Sequence, residues 1–205
     1  MKERPILFSA PMVRAILAGT KTQTRRALAP DLFMSSGGAV VRMASAGPAT
    51  TGIREAHCPY WREPGDRLYV KETGHWKTGD VFYRAGTEHY SAEMANAAAL
   101  VALGGDRMRW QPAIHMPRWA SRITLEITGV RVERVQDISE ADATAEGTPC
   151  YVCDRPMDGR SEDDCHCFHR RAAASDYRML WESINGPGSW DANPWCWVIE
   201  FRRVS

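Results

Sequence analysis

Hydrophobic positions along the chain follow two rhythms, one of strands and one of helices. Ile123, Leu125 and Ile127 alternate with Thr124, Glu126 and Thr128, which predicts a half-buried strand over 123–135. After Gly129 the apolar parity flips to Val130 and Val132, and a period of two flips only through a bulge or sharp bend. Such a bend lets one long strand serve two sides of a small barrel. Leu68 and Val70 alternate with Tyr69, Lys71 and Thr73 after the turn Pro64-Gly65-Asp66. Ile6-Leu7-Phe8 and Val81–Arg84 are shorter strand signals. Trp195, Trp197, Ile199 and Phe201 share one face of a last strand over 195–204, with Cys196 as a buried strand residue.

The helical rhythm is clearest at Tyr177, Leu180, Trp181 and Ile184, which predicts a helix over 172–184 that Asn185-Gly186-Pro187-Gly188 ends. Glu88–Leu103 is rich in alanine and stops at Gly104-Gly105, a second helix. Ser139 followed three residues on by Asp142 is a capping signal for a helix over 140–146 that stops at Gly147. Near the N-terminus, Ser9 and Pro11 suit a helix start, Met12 and Ile16 share a face, and Gly19 supplies the left-handed exit. Residues 27–60 lack periodicity and read as a long excursion with a short hairpin around Val40–Met43.

These elements define an α+β chain of 205 residues in one domain, long enough to bury a good core. Insertions fall at about 27–62, 85–118 and 148–172. Charge barely alters this picture: 26 basic residues against 25 acidic ones leave a formal +1. That argues against a bulk electrostatic binder of long duplex, so any basic footprint must be local. No apolar run has the length of a membrane span, and Met1–Pro5 is not followed by a signal-peptide core. The expectation is a cytoplasmic protein with no membrane partner. Six cysteines in that compartment point to metal or free thiols over disulfides.

Chemistry concentrates first in Ile16–Arg26, I-L-A-G-T-K-T-Q-T-R-R. Lys21, Thr24, Arg25 and Arg26 are crowded together just past a helix end. Arginines suit phosphate or carboxylate. A lysine among cations loses basicity and can activate a hydroxyl nucleophile such as Thr24. The stretch is either such a site or a solvated basic turn. Lys71-Glu72-Thr73 is a second charged cluster, in which Glu72 can pair with a base of the opening motif or with Lys71. Arg118, Trp119, Ser121 and Arg122 mix cation, aromatic and hydroxyl in the way that grips a base and a sugar or phosphate. Equally, Trp119 can be core and the arginines solvated. Trp61, Trp76 and Trp110 adjoin loops and are further stacking candidates.

The opening motif resembles the N-terminal signature of the ASCH family, a branch of the PUA-like β-barrels. It is most similar to the form I-L-A-G-x-K-T-x-T-x-R of small bacterial members that hydrolyse N4-acetylcytidine. G-D-x-L-x-V at 65–70, I-S-E-A-D-A-T-A-E-G at 138–147 and V-I-E-F at 198–201 continue the resemblance. It implies a small, mostly antiparallel PUA-like β-barrel flanked by helices, and a working trio of Lys, Thr and Glu at Lys21, Thr24 and Glu146. By this resemblance Thr24 attacks an acyl carbonyl, Lys21 takes its proton, and Glu146 orients Lys21 or passes the proton to the leaving amine. The ligand expected is a modified nucleoside or a single-stranded nucleic acid, with Arg25, Arg26, Glu72, Arg118, Trp119, Ser121 and Arg122 around it. The rival expectation is a non-catalytic RNA- or DNA-binding module, or a phage accessory protein, since the long insertions resemble larger phage and prophage members.

Those insertions include Cys150-x-x-Cys153 and Cys165-x-Cys167-x-His169 in a polar stretch with few apolar residues. Two thiolate pairs joined by a turn-rich loop supply a structural Zn²⁺ site. The ligand set expected is Cys150, Cys153, Cys165 and Cys167, with His169 as a variant ligand. A polar insertion of this size needs a staple, and a metal bound only by the folded form supplies one.

Overall fold

Strand pairing organises the described residues into one main sheet and two small ones. The structure, a computed structural model, describes residues 2–29, 32–35, 37–43, 53–55, 58–60, 65–76, 81–86, 110–148 and 173–204. The expected helix over 88–103 and the whole cysteine cluster of 150–169 lie outside the described residues, as does Trp61. The elements are β1 (Glu3–Leu7), α1 (Ala10–Leu17), β2 (Gln23–Ala27), β3 (Leu32–Met34), β4 (Val40–Met43), β5 (Ile53–Glu55), β6 (Arg67–Lys71), β7 (Gly74–His75), β8 (Phe82–Tyr83), β9 (Thr124–Arg134), α2 (Glu140–Ala145), α3 (Ala173–Asn185) and β10 (Trp195–Arg203). The fold class is therefore α+β.

The main sheet runs β1-β6-β9-β10-β2. β1 pairs with β6 in parallel, and every other neighbour in this sheet is antiparallel. Among the described strands it stays open, with β1 and β2 at its edges, rather than closing into a barrel. β3-β4-β5 form a three-stranded sheet and β7-β8 a two-stranded one. The hairpin expected around Val40–Met43 is β4 paired on both sides, with β3 and β5.

The parity flip at Gly129 has a structural counterpart. On β9, Gly129 faces Glu200 and Ile127 faces Phe201, so Thr128 is the extra residue of a bulge. A Cβ at Gly129 would stand 2.9 Å from the Glu200 carboxylate, so a larger residue there would push that side chain aside. Ile127, Leu125, Leu68, Val70, Ile6, Ile199 and Phe201 meet Val13 and Ile16 of α1 in the larger core cluster. Burying each such side chain contributes about 1.5–3 kcal/mol, so Leu125→Ala would cost roughly 2–5 kcal/mol.

β10 departs from the one-faced reading. Cys196 and Val198 are as buried as Trp197 and Ile199, because a second layer covers the opposite face. Val135, Ile138, Ala143, Ala173, Tyr177, Trp181 and Cys196 form that second cluster, between the sheet, α2 and α3. Burial lifts the Cys196 thiol to about 12, which makes it wall and not nucleophile. Trp76 is buried against Met116 and Ala120 and presents no open stacking face. No helix among the described residues is long and apolar enough to cross a membrane.

Candidate functional site

The site forms where the exit of α1 meets the end of α2. Ala18 caps α1, and Gly19 turns the chain at φ 79°, a conformation glycine adopts without strain. The next residues bond back to the helix, Thr20 and Lys21 donating their N–H groups to Ala15 O. Lys21 then pairs with Glu146 as an isolated antiparallel bridge, before β2 begins. From the other side, Ser139 caps α2 by accepting from the Asp142 N–H at 3.1 Å. Glu146 closes that helix as its C-cap. Gly147 follows at φ 65°, and a Cβ there would come within 2.7 Å of Lys21 Cβ and 2.8 Å of Ala15 Cβ. Glycine is thus required twice, for the turn and for the close approach that seats Glu146 on Lys21.

Lys21 is enclosed. Its side chain has no exposed surface, and its Nζ donates to Glu146 Oε2 at 2.9 Å and to the Glu146 carbonyl at 2.7 Å. The Phe8 ring centroid lies 5.5 Å from the same Nζ. Burial lowers the pKa of Lys21, and the Arg25 and Arg26 charges add to that, while Glu146 opposes them. A carboxylate at a helix C-terminus meets the unfavourable end of the dipole, and here the lysine ammonium offsets it.

β2 carries the rest on two faces. Gln23 and Arg25 point to α2: Gln23 Nε2 donates to Asp142 O at 3.1 Å, and Arg25 Nη2 to Glu133 Oε2 at 2.9 Å and Asp142 Oδ2 at 3.3 Å. Arg25 Nη1 stands 3.5 Å from Glu146 Oε1, within ion-pair range but without a hydrogen bond. Arg131 extends the network to Asp142, Glu133 and Glu200. Asp142 is held below the usual carboxylate range: burial works against this, and the Ser139 hydroxyl with the two arginines outweighs it. Arg26 takes the other face, its guanidinium 5.5 Å over Phe8 and its Nη2 donating to Leu7 O.

A cavity of about 50 Å³ opens beside this cluster. Thr24, Arg25, Arg26 and Glu146 line it, with Met12 of α1 and Tyr177, Leu180, Trp181 and Ile184 of α3 as its apolar wall. Lys21 sits behind Glu146 and is not itself in the lining. Thr24 is almost wholly buried and makes no side-chain hydrogen bond to Lys21 or Glu146. The geometry thus joins Lys21 to Glu146 directly, and Thr24 to Glu146 through a shared cavity.

The other expected ligand contacts form separate groups. Arg122 Nε and Nη2 each donate to Glu72 at 2.9 Å, with the guanidinium 4.0 Å from the Tyr83 centroid. Ser121 Oγ ties Val70 O to Ile123 O. Arg118 forks onto Glu3, and Trp119 is exposed at 62%. None of these five residues lines the cavity at Thr24. Sequence reasoning missed Glu133, Arg131 and the pocket roles of Tyr177 and Trp181. The helical spacing marked Tyr177 and Trp181 as a buried face, and nothing local marked it as a pocket wall.

Among the described residues no group of three or more His, Cys, Asp or Glu is placed to hold a metal ion. The chain matches no known protein family, no curated protein and no solved structure in the comparisons made.

Proposed function

We propose that the protein is a cytoplasmic amidohydrolase that removes a small acyl group from an N4-acylated cytidine or a similar modified nucleoside. The observation that supports it most is the desolvated Lys21 bonded to Glu146 across 125 positions of sequence, with Thr24 on the wall of the adjoining cavity. Burial lowers the pKa of Lys21, which is the direction a general base requires. In this reading Thr24 Oγ attacks the acyl carbon and its proton passes to neutral Lys21. The C–N bond breaks as that proton is relayed through Glu146 to the leaving nitrogen, and water then cleaves the acyl-threonine ester. The net reaction is amide plus water to carboxylic acid plus amine.

The same proposal takes the main sheet, bent at Thr128–Gly129, as the wall of an ASCH-type barrel, which is also what the resemblance of the motifs implies. A nucleoside is favoured over a nucleic acid strand because Arg25, Arg118 and Arg122 already carry ion pairs. Arg25 pairs with Glu133 and Asp142, Arg118 with Glu3 and Arg122 with Glu72, which leaves little positive charge for phosphates. A structural Zn²⁺ on Cys150, Cys153, Cys165 and Cys167, with His169 as a variant ligand, rests on their spacing. The test of function is to incubate the protein with a panel of N4-acylated cytidines and follow release of cytidine. Turnover of the acetyl compound that is lost in Thr24→Val is expected. Absence of release from every member by the folded protein would refute the reading.

A further inference from the structure

Four buried polar atoms without a hydrogen-bond partner among the described residues belong to three residues of one cavity. They are Arg25 Nε and Nη1, Trp181 Nε1 and Glu146 Oε1, of which Arg25 Nη1 and Glu146 Oε1 stand 3.5 Å apart as an ion pair without a hydrogen bond. Elsewhere such atoms occur singly, as at Arg67, Gln111 and Ser189. An unmet buried donor or acceptor costs about 1–3 kcal/mol, so a cluster of them around an opening calls for something to fill it. Arg25, Trp181 and Glu146 are each under 5% exposed, which makes these fixed wall groups and not surface arms. Arg25 is further fixed because its other nitrogen, Nη2, is held by Glu133 and Asp142.

The set without hydrogen bonds is three N–H donors, one of them in a long ion pair, against one carboxylate oxygen. Its complement is a ligand edge rich in acceptors that carries one N–H. A free carboxylate fits poorly, since it has no donor for Glu146 Oε1 and repels it. A secondary amide on a nitrogenous base fits well: the acyl oxygen and ring acceptors face the donors, and the amide N–H faces Glu146. About 50 Å³ holds a few water-sized groups, room for a short acyl end and not for a whole nucleoside.

We infer that Arg25 and Trp181 are the carbonyl-binding donors of this site, and that Glu146 Oε1 reads the amide N–H. This rests on the amidohydrolase reading. In it, Arg25 and Trp181 hold the acyl oxygen as negative charge develops on it, and Glu146 already stands at the nitrogen that receives the proton. The site then accepts secondary amides and rejects tertiary ones, which lack the N–H. Trp181 lies on α3, outside every stretch that resembles the ASCH family, so the assignment comes from this chain's own packing.

The experiment is a ¹H–¹⁵N titration of Thr24→Val protein, following the indole N–H of Trp181, which Trp181→Phe identifies. N4-acetylcytidine and N-methylacetamide are expected to shift that resonance, and N,N-dimethylacetamide at equal concentration to shift it far less. In the otherwise native enzyme, Trp181→Phe should lower kcat about tenfold and Arg25→Lys about 10²–10³-fold, with KM little changed. If Arg25→Lys fails to fold, Trp181→Phe decides. Normal turnover in Trp181→Phe with an unmoved indole resonance overturns this inference and leaves the amidohydrolase reading standing. A shifted resonance without cytidine release from native protein overturns the amidohydrolase reading and leaves the carbonyl site standing. No shift and no release overturn both.

Discussion

Glu72–Arg122, a buried acid on a half-buried base, and Lys21–Glu146, buried throughout, are both acid–base pairs, and they differ in what they leave over. The first is closed: both Glu72 oxygens accept from Arg122, whose guanidinium lies on Tyr83. The second is open: Glu146 Oε2 is bonded to Lys21, whereas Oε1 has only a 3.5 Å ion pair to Arg25 and no hydrogen bond, beside a cavity where Arg25 and Trp181 also have donors without hydrogen bonds. A closed pair fixes the chain, here the end of β6 against the start of β9. An open pair beside a cavity keeps interactions in reserve for something that enters. The comparison shows why a charged cluster in the sequence is a poor guide by itself. Lys71-Glu72-Thr73 and Lys21–Arg26 look equally loaded, and only the count of satisfied atoms separates them.

The largest effect that would sharpen this contrast is at the open pair. Thr24→Val should lower turnover of N4-acetylcytidine by at least about 10³-fold while leaving the secondary structure folded by circular dichroism, and Lys21→Met should lower it as much but also lose stability, because it strands the buried Glu146 carboxylate. Gly147→Ala should come next, since its Cβ would meet Lys21 and Ala15 at under 3 Å and the left-handed φ is strained for alanine. The expected result is a loss of roughly 2 kcal/mol or more in chemical denaturation, and a fall in activity greater than that loss explains, because Glu146 is displaced from Lys21. At the closed pair, Glu72→Gln should cost about 3 kcal/mol of stability, because it strands a partly buried guanidinium, and should leave kcat near native.

The smallest effects are in pH. Lys21 has a folded pKa lowered below its ordinary 10.5, so between the two values the unfolded chain binds more protons. Stability from this group therefore rises with pH through that window, and the neutral base needed for turnover accumulates over the same range. Asp142 acts in the opposite part of the scale. Its folded pKa is lowered from 3.8, so its contribution is complete above that value and is lost as pH falls through the folded one. A rate profile that rises with pH to a plateau below 10.5, and that disappears in Lys21→Met, is the expected outcome.

Much of this was legible in the chain. Pro11 and Gly19 bracket α1 and so place Lys21 and Thr24 just beyond it, and Ser139 and Gly147 bracket the helix that delivers Glu146. The parity flip at Gly129 foretold the bulge at Thr128, because alternation cannot change phase without an extra residue. Closure of the sheet was not legible, since alternation defines which face of a strand is buried and not which strand is its last neighbour. The roles of Arg25 were hidden too. Its partners Glu133 and Asp142 are 108 and 117 positions away, and no local pattern links them. Glu72 was expected to pair with the opening motif or with Lys71, and it pairs with Arg122, 50 positions away, which no local pattern signals.

The most direct test sets the two pairs side by side, measuring release of cytidine from N4-acetylcytidine by Glu146→Gln and Glu72→Gln, each checked for folding by its thermal transition. The account predicts that both variants melt earlier, that Glu146→Gln loses at least about 10²–10³-fold in kcat at temperatures where it is folded, and that Glu72→Gln turns over at close to the native rate wherever it is folded. Native turnover in Glu146→Gln, with turnover abolished in folded Glu72→Gln, would contradict it.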